Sequence, residues 1–375
     1  MRQRRWTWRL AALVAGLALV LGVAACGGDE EGAGGETTTA AETGAGAAEV
    51  TLKLGYVTTP QHPYGVAVDE FVKRVREASG GRIAIQTIPS YQGGDVPLLN
   101  DVRGGTVDLA TVSSAIWDTQ GVNSFQALQA PFLVNRLDLE KEVIGGEIGQ
   151  DMLKGVDKLG LVGLAIHEGG LRKPLGAKKP LKNPSDFRGT KIRAPESRVL
   201  AAGLAALGAE ATPLPLGEVY LALKNGQVDG MEANLGLIDT QKYYEVARFV
   251  TQNVNLWPFP TVLVMNKAAF DGLSEEDQQV ITEAASGIPA FSIEIFTNPP
   301  PGSTDFVKSL CEKGLTFAFA SEQDQAALQE AGQKAIDNLS KDPEVGDFIT
   351  RIQEIKEGLP APPARPPLPV GGMGA

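Results

Sequence analysis

One arginine stands where the chain could hold an anion. Arg193 belongs to residues 191–195, which read KIRAP, so a short strand-like stretch ends at a proline. The residue before a proline is pushed toward extended geometry, and a helix can begin only after Pro195. The carboxyl ends of strands are where α/β domains place their ligands. A guanidinium there suits a carboxylate, because its planar donors match both carboxylate oxygens.

Two ordinary interpretations compete with this one. Arg193 could be a surface residue paired with Asp186 or Glu196, since exposed ion pairs are common and weak. A second arginine, Arg172, follows another strand-like segment and two glycines. It could join Arg193 in a ligand site, or it could form a salt bridge between two lobes.

The surrounding sequence alternates between strand and helix patterns, which indicates parallel βαβ units. Apolar runs predict strands over residues 51–57, 82–88, 107–112, 160–166, 191–193, 228–231 and 262–265. Helical periodicity and capping serines predict helices over residues 64–78, 96–102, 136–159, 197–207 and 216–225, from Ser274, and from Ser321 toward Glu357. A chain that leaves one α/β lobe, builds a second and returns is typical of a hinged protein with its ligand between the lobes.

Motifs of catalysis are missing from the sequence. The two histidines, His62 and His167, lie far apart and lack metal-ligand spacing. We find no nucleophile elbow, no phosphate-binding loop and no dinucleotide fingerprint. The sequence therefore favours a binding protein over an enzyme, with no catalytic residue, metal or cofactor expected.

The segment from Asp186 to Gly230 carries a specific pattern. It reads D-x-x-G-x-K-I-R-x-P-E-S, then L-G-A, then P-L-P-x-G-E-V-Y-x-A-L, and then V-D-G. The chain thereby resembles the extracytoplasmic substrate-binding proteins of tripartite ATP-independent periplasmic (TRAP) transporters, which include dicarboxylate-binding subunits. Matching residues on either side extend the resemblance over roughly residues 50 to 340.

The resemblance implies an α/β fold of the type II periplasmic-binding-protein kind, with two lobes, a hinge and long lobe-spanning helices. By that analogy, lobe one comprises residues 50–170 and 259–298. Lobe two comprises residues 171–258 and 299–357.

The resemblance also implies roles for both arginines. In this family the arginine of the K-I-R-x-P motif holds the ligand carboxylate, which would be Arg193 here. Members often carry G-x-R where this chain has Arg172, and that arginine reaches the cleft. Glu196, in the same motif as Arg193, is a further candidate ligand-binding residue.

Three positions depart from the family pattern and bear on the ligand. Where many members have a ligand-binding asparagine after V-D-G-x-E, this chain has Ala233, followed by Asn234. Leu216 replaces a frequent aromatic residue, and Ser113 occupies a pocket position that is acidic in some members. These changes suggest a less polar ligand body than a sugar acid.

Two tryptophans lie near predicted loop ends. Trp117 and Trp257 could form walls of the cleft, because indole rings pair a large apolar face with a polar N–H. Packing in an ordinary core is the alternative for each of them.

The N-terminus has the features of a lipoprotein signal peptide. Four arginines precede an apolar run that ends in small residues before Cys26. We therefore expect cleavage of residues 1–25 and lipidation of Cys26, although an uncleaved membrane anchor is the alternative. Residues 26–49 are a predicted flexible tether, and residues 358–375 a proline-rich tail.

The net charge of the chain limits the classes of partner that it can bind. The full chain has 34 basic and 45 acidic residues, and loss of the signal peptide would remove four arginines, leaving a net charge of −15. Such an acidic chain argues against nucleic acid, and an anionic ligand needs a local basic site. We expect a lipid-anchored receptor outside the cytoplasmic membrane that delivers an organic anion to an ion-gradient-driven TRAP permease. The alternatives are a periplasmic enzyme, an assembly lipoprotein, or a sensor for a receptor kinase.

Overall fold

The computed structural model describes residues 48–297 and 304–361. Its strands are β1 Val50–Gly55, β2 Ile83–Ile88, β3 Leu109–Ser113, β4 Leu161–Glu168, β5 Lys173–Gly176, β6 Lys191–Ala194, β7 Glu210–Pro213, β8 Gly230–Ala233, β9 Phe249–Thr251, β10 Pro260–Asn266 and β11 Thr316–Ala318. Its helices are α1 Pro63–Ala78, α2 Asp95–Arg103, α3 Leu137–Gly145, α4 Glu147–Leu153, α5 Pro184–Phe187, α6 Arg198–Leu207, α7 Val219–Lys224, α8 Leu235–Thr240, α9 Lys267–Asp271, α10 Glu275–Ser286, α11 Ile288–Thr297, α12 Thr304–Glu312, α13 Glu322–Leu339 and α14 Pro343–Gly358.

The strands form two sheets. The first sheet has the order β2-β1-β3-β10-β4, in which β1 is parallel to both of its neighbours. The returning strand β10 is antiparallel to β3 and β4, which confirms that the apolar run at 262–265 rejoins the first sheet. The second sheet has the order β11-β9-β5-β8-β6-β7. Its strand β6, which carries Arg193, lies between two parallel neighbours.

Two predicted long helices are interrupted. The stretch 136–159 divides into α3, α4 and a short 3-10 helix, because Gly146 adopts an extended conformation between α3 and α4. The helix expected from Ser321 to Glu357 ends at Leu339, and α14 begins at Pro343. A proline in the first turn fits a helix start, and the Asp342 side chain accepts the N–H groups that the new helix exposes.

The C-terminal helices do not all pack where the resemblance suggested. Residues 299–357 were grouped with lobe two, but the apolar face of α14 lies in the core of the first sheet through Val345, Phe348, Ile349 and Ile352. In α13, Ile336 joins that same core whereas Leu328 joins a core of the second sheet. The grouping was therefore wrong for α14, whose apolar stripe at helical spacing is buried against α3 and α4.

The crossover from the first sheet to the second runs through Gly169 and Gly170. Gly170 has φ +112°, and a Cβ atom there would lie 2.8 Å from Cβ of Asn234. A side chain is excluded on both grounds, so the crossover approaches α8 closely. This approach places Arg172, two residues later, beside the end of β8.

The predicted signal peptide, Cys26, the tether and most of the proline-rich tail lie outside the described residues. Within the described ranges, no helix is long and apolar enough to cross a membrane.

Candidate functional site

Arg193 is buried at the carboxyl end of β6. Its side chain is 3% exposed, and Nε and Nη2 both donate to the backbone carbonyl of Leu214, at 3.0 Å and 2.7 Å. Leu214 follows β7, the neighbouring strand, so the sheet itself holds the guanidinium. No carboxylate of the described side chains lies within 4.0 Å of it. The arginine therefore keeps a buried positive charge that no acidic side chain pairs directly.

The proposed surface partners of Arg193 are elsewhere. Asp186 lies 3.8 Å from the Lys179 ammonium and accepts the backbone N–H of Lys182. Glu196 is exposed. The interpretation of Arg193 as an exposed, ion-paired residue is thus wrong, because its side chain folds back under β7.

Arg172 lies in the same buried region and has a carboxylate partner. Its Nε atom is 2.9 Å from Oε2 of Glu232, and its guanidinium stacks 3.7 Å from the ring centroid of Phe259. Burial lowers the pKa of Arg172, and the charge of Arg193 lowers it further, whereas Glu232 and Glu168 raise it. The two arginines therefore repel each other, which favours an additional anion near them.

The first sheet contributes an acidic residue that the sequence interpretation missed. Asp95 begins α2, and its Oδ1 accepts the backbone N–H of Ser113 at 2.9 Å. Burial raises the pKa of Asp95, while Arg193 and Arg172 both act to lower it. Both arginines thus act electrostatically on the Asp95 carboxyl group, although Asp95 belongs to the first-sheet part of the chain. The available signal was an acidic residue directly after Gly93 and Gly94, at the start of a predicted helix.

The two sheets are in contact beside Asp95. A Cβ atom on Gly94 would lie 3.4 Å from Cβ of Pro215, which belongs to the second sheet's connecting segment. Leu216 packs against the core of the first sheet and also against a core of the second. The two sheets are thus in contact through Gly94 and Pro215 and through Leu216.

The remaining first-sheet candidates have structural contacts. Ser113 is 1% exposed, and its hydroxyl accepts the backbone N–H of Ala115 at the start of a 3-10 helix. Trp117 is fully buried in the first core, with its ring centroid 5.5 Å from that of Phe125. Its indole N–H has no partner among the described residues. Trp117 therefore packs as a core residue with an unused donor.

The two candidates at the end of β8, Ala233 and Asn234, are both buried. Ala233 is completely buried in a second-sheet core. Asn234 caps α8 by accepting the N–H of Leu237, and its Nδ2 donates to the Gly169 carbonyl at 2.7 Å. Its Oδ1 also lies 3.3 Å from Nε2 of His62, a first-sheet residue. All polar atoms of the Asn234 side chain are thus engaged in joining α8 to the crossover and to α1.

Trp257 is a buried neighbour of Arg172. It is 1% exposed, and its backbone pairs with that of Arg172 in an isolated bridge. Burial raises the pKa of Glu232, and the Trp257 side chain is among the groups that lower it, after Arg172 and Arg193. Trp257 therefore supports the Arg172–Glu232 pair and does not form an exposed wall.

The site can bind and orient an anion, and its chemistry suggests no bond-breaking step. No group of three or more histidine, cysteine or acidic side chains in the described chain could hold a metal ion. Asp95 accepts the Ser113 N–H and lies within the electrostatic influence of Arg193 and Arg172, while Glu196 lies at the surface.

Comparison with known proteins decides the family. The model of the bacterial extracellular solute-binding proteins, family 7 (DctP), matches residues 54–342. The chain belongs to this DctP family. The 2,3-diketo-L-gulonate-binding periplasmic protein YiaO of Escherichia coli is 27% identical over 316 residues, which are 82% of this chain and 92% of YiaO.

Solved structures of TRAP periplasmic solute-binding proteins share the fold. That from Polaromonas sp. JS666, bound to D-erythronate, is 28% identical with a TM-score of 0.75, over 81% of this chain and 98% of that one. That from Sulfurospirillum deleyianum, with bound succinate, is 28% identical with a TM-score of 0.74, over 82% and 99%. The α/β, two-lobed periplasmic-binding-protein fold is therefore confirmed.

Membership of the DctP family sets the broad function. Its members are extracytoplasmic solute-binding proteins of TRAP systems and not enzymes. The resemblance seen in the sequence is thus confirmed at the level of family.

Proposed function

We propose that this protein captures a small organic carboxylate between its two sheets and that Arg193 is the principal anchor. The observation that carries the proposal is the state of the Arg193 guanidinium, which is buried, held by one backbone carbonyl and paired with no acidic side chain of the described residues. A buried charge without a counter-ion is costly unless a ligand supplies one. A carboxylate supplies that charge and fits the planar donors.

Arg172 serves as the second positive charge of the site. Glu232 and the Phe259 ring fix its guanidinium in one orientation before the ligand arrives. A preorganised charge loses little side-chain entropy on binding, and closure of the sheets excludes the water that would screen it.

Known ligands of related proteins support the carboxylate class. The relatives described above bind D-erythronate, succinate or 2,3-diketo-L-gulonate, and each of these carries a carboxylate. The electrostatic influence of both arginines on Asp95 supports a role for its carboxylate as an acceptor for the distal part of the ligand. A hydroxyl group on the ligand can donate to that carboxylate, whereas a second ligand carboxylate would be repelled by it.

Delivery of the captured solute to a TRAP permease, with the receptor tethered through a lipid on Cys26, completes the proposal. Family membership supports the permease partner, and the small residues before Cys26 support the anchor. A permease role predicts that the loaded receptor co-purifies with the membrane subunits, while a sensor role predicts association with a receptor kinase instead. Metabolic labelling with a fatty acid tests the anchor, and Cys26→Ser should abolish the label.

The binding proposal is tested by thermal unfolding of the purified receptor against a panel of acids. The panel comprises succinate, D-erythronate, galacturonate, simple monocarboxylates, amino acids and sulfonates. A ligand present at a hundred times its Kd should add about 2.7 kcal/mol to the free energy of unfolding. The proposal fails if no carboxylate of the panel raises the melting temperature while a sulfonate does.

A further inference from the structure

Two buried carboxyl groups lie next to the crossover and are not among the residues proposed to contact the anion. Glu140 on α3 and Glu168 at the end of β4 are both 0% exposed. The two carboxyl groups lie within hydrogen-bonding reach of each other. Glu168 directly precedes Gly169 and Gly170, so the pair lies where the chain leaves the first sheet for the second.

Backbone donors satisfy only one oxygen of the pair. Oε1 of Glu168 accepts the N–H of Gly170 at 2.5 Å and that of Phe259 at 3.4 Å. No described residue donates a hydrogen to Oε2 of Glu168 or to either oxygen of Glu140. Ionised carboxylates are acceptors only, and two of them cannot hydrogen-bond to each other. The contact between the two groups therefore requires a proton.

We propose that Glu140 and Glu168 share one proton at neutral pH, and that this proton holds α3 against the crossover as a pH-sensitive contact. The proton belongs mainly to Glu140. Glu168 already has two backbone donors and the positive charge of Arg172 nearby, all of which favour its ionised form. Loss of the proton places two anions face to face without water, and the contact is then repulsive.

The electrostatic surroundings agree with this assignment. Burial raises the pKa of both groups, and the charge of Glu168 raises the pKa of Glu140 further. The hydrogen bond from Glu140, the two backbone N–H groups and Arg172 oppose the shift at Glu168. Glu140 therefore stays protonated well above the pH at which an ordinary glutamate ionises.

Other charged groups on the elements packed around the pair do not neutralise it. Neighbouring His167 contacts Thr261, and Lys356 of α14 donates to the carbonyls of Phe132 and Leu133. The following charged side chains of α3, α4, α10 and α11 are exposed: Lys141, Glu142, Glu147, Glu283 and Glu294. Arg172 is thus the one charge that acts on the pair among the described residues.

The sign of the pH effect follows from the proton count. Unfolded Glu140 loses its proton near its ordinary pKa of 4.5, whereas folded Glu140 keeps it to a higher pH. The folded chain binds more protons above that pH, so this contribution to stability falls as the pH rises.

Glu140→Gln tests the shared proton in the full chain, because an amide N–H replaces the O–H donor in a side chain of the same shape. We expect the melting temperature of this variant to exceed that of wild type by about 3 °C or more at pH 8.5. At pH 4.5 the two proteins should unfold at nearly the same temperature. Glu294→Gln, an exposed substitution on α11, should change neither value. A shift of equal size at both pH values overturns the proposal.

Infrared spectroscopy of the wild-type chain gives a readout that does not depend on a folded variant. At pH 7.5 we expect a carbonyl band from a protonated carboxyl group, and we expect Glu140→Gln to remove it. A wild-type spectrum without that band at pH 7.5 overturns the proposal. Because neither measurement uses a ligand, either result leaves the proposed carboxylate binding to be judged by its own test.

Discussion

Nε of Arg172 lies 2.9 Å from Oε2 of Glu232 in an ion pair whose two side chains are each 1% exposed. The Phe259 ring covers the guanidinium on one face, with its centroid 3.7 Å away. The nearby Arg193 has no such carboxylate partner within residues 48–297 and 304–361 and is held by the Leu214 carbonyl instead. Two buried arginines of the same region thus have different states, and the unpaired one is the better anchor for an anionic ligand.

Removal of the acid from the buried pair should destabilise the fold. Glu232→Gln leaves the Arg172 charge buried without its counter-ion, and we expect the free energy of unfolding to fall by about 3 kcal/mol. Urea denaturation of the ligand-free protein measures this loss. Asp271→Asn breaks the exposed pair with Lys267 and should cost at most about 0.5 kcal/mol. If both variants lose the same free energy of unfolding, the Arg172–Glu232 pair contributes no more to stability than a surface pair.

His62 should make the protein sensitive to acid. Burial lowers its pKa to about 3, with Arg172 acting in the same direction. Folded His62 therefore stays neutral while unfolded His62 takes up a proton below its ordinary pKa of 6.5, so stability falls as the pH drops from 6.5 toward 3. We expect the stability difference between wild type and His62→Gln to change by up to about 1.4 kcal/mol per pH unit within that window. A difference that stays constant between pH 6.5 and pH 4.5 would rule out this role.

Leu216 should link ligand binding to contact between the sheets. Its side chain packs against cores of both sheets, so its apolar contacts are complete only when the sheets are together. We expect Leu216→Ala to weaken carboxylate binding about tenfold in calorimetric titrations, the equivalent of 1.4 kcal/mol. Leu221→Ala, at a side chain that is 59% exposed, should bind like wild type. Unchanged affinity in Leu216→Ala would mean that these contacts do not contribute to closure.

Asp95 should influence which carboxylate is preferred. Both arginines act electrostatically on its carboxylate, which accepts the Ser113 N–H. We expect Asp95→Asn to strengthen succinate binding, because a repulsive charge is lost, and to weaken D-erythronate binding about tenfold, because a charged acceptor for its hydroxyl groups is lost. Parallel titrations of the two acids measure the ratio. An unchanged ratio would exclude Asp95 from the ligand's surroundings.

Sequence patterns predicted the elements well where a local rule determines them. The strand ending at Arg193, the return of 262–265 to the first sheet and the capping serine Ser321 are all confirmed. Periodicity did not predict that α13 and α14 are separate helices, because their apolar residues continue one pattern. The interruption at residues 340–342 depends on local backbone geometry. Periodicity also gave no information on which sheet α14 packs against, since an apolar stripe shows that a helix face is buried but not which element buries it.

The candidate site was only partly predictable, for a related reason. Arg193 and Arg172 were proposed from the sequence because each lies at or after the end of a strand-like stretch within a recognisable motif. The importance of Asp95 and of the contact between His62 and Asn234 depends on first-sheet and second-sheet residues meeting in space, at sequence separations that no local pattern reports. The pairing of Glu140 with Glu168 was missed in the same way, because α3 and β4 meet only in the folded chain.

The most direct test of the account is titration of the receptor with its best-binding carboxylate before and after Arg193→Ala. Loss of charge-assisted hydrogen bonds should weaken binding about a hundredfold, the equivalent of 2.7 kcal/mol. Because Arg193 is buried and bonded to Leu214, the ligand-free variant should also unfold at a lower temperature, so binding is measured by calorimetry below that transition. Arg193→Lys keeps the charge but not the planar donors, so its affinity for the acid should lie between those of wild type and Arg193→Ala. A folded Arg193→Ala protein that binds the acid as tightly as wild type would contradict the central claim.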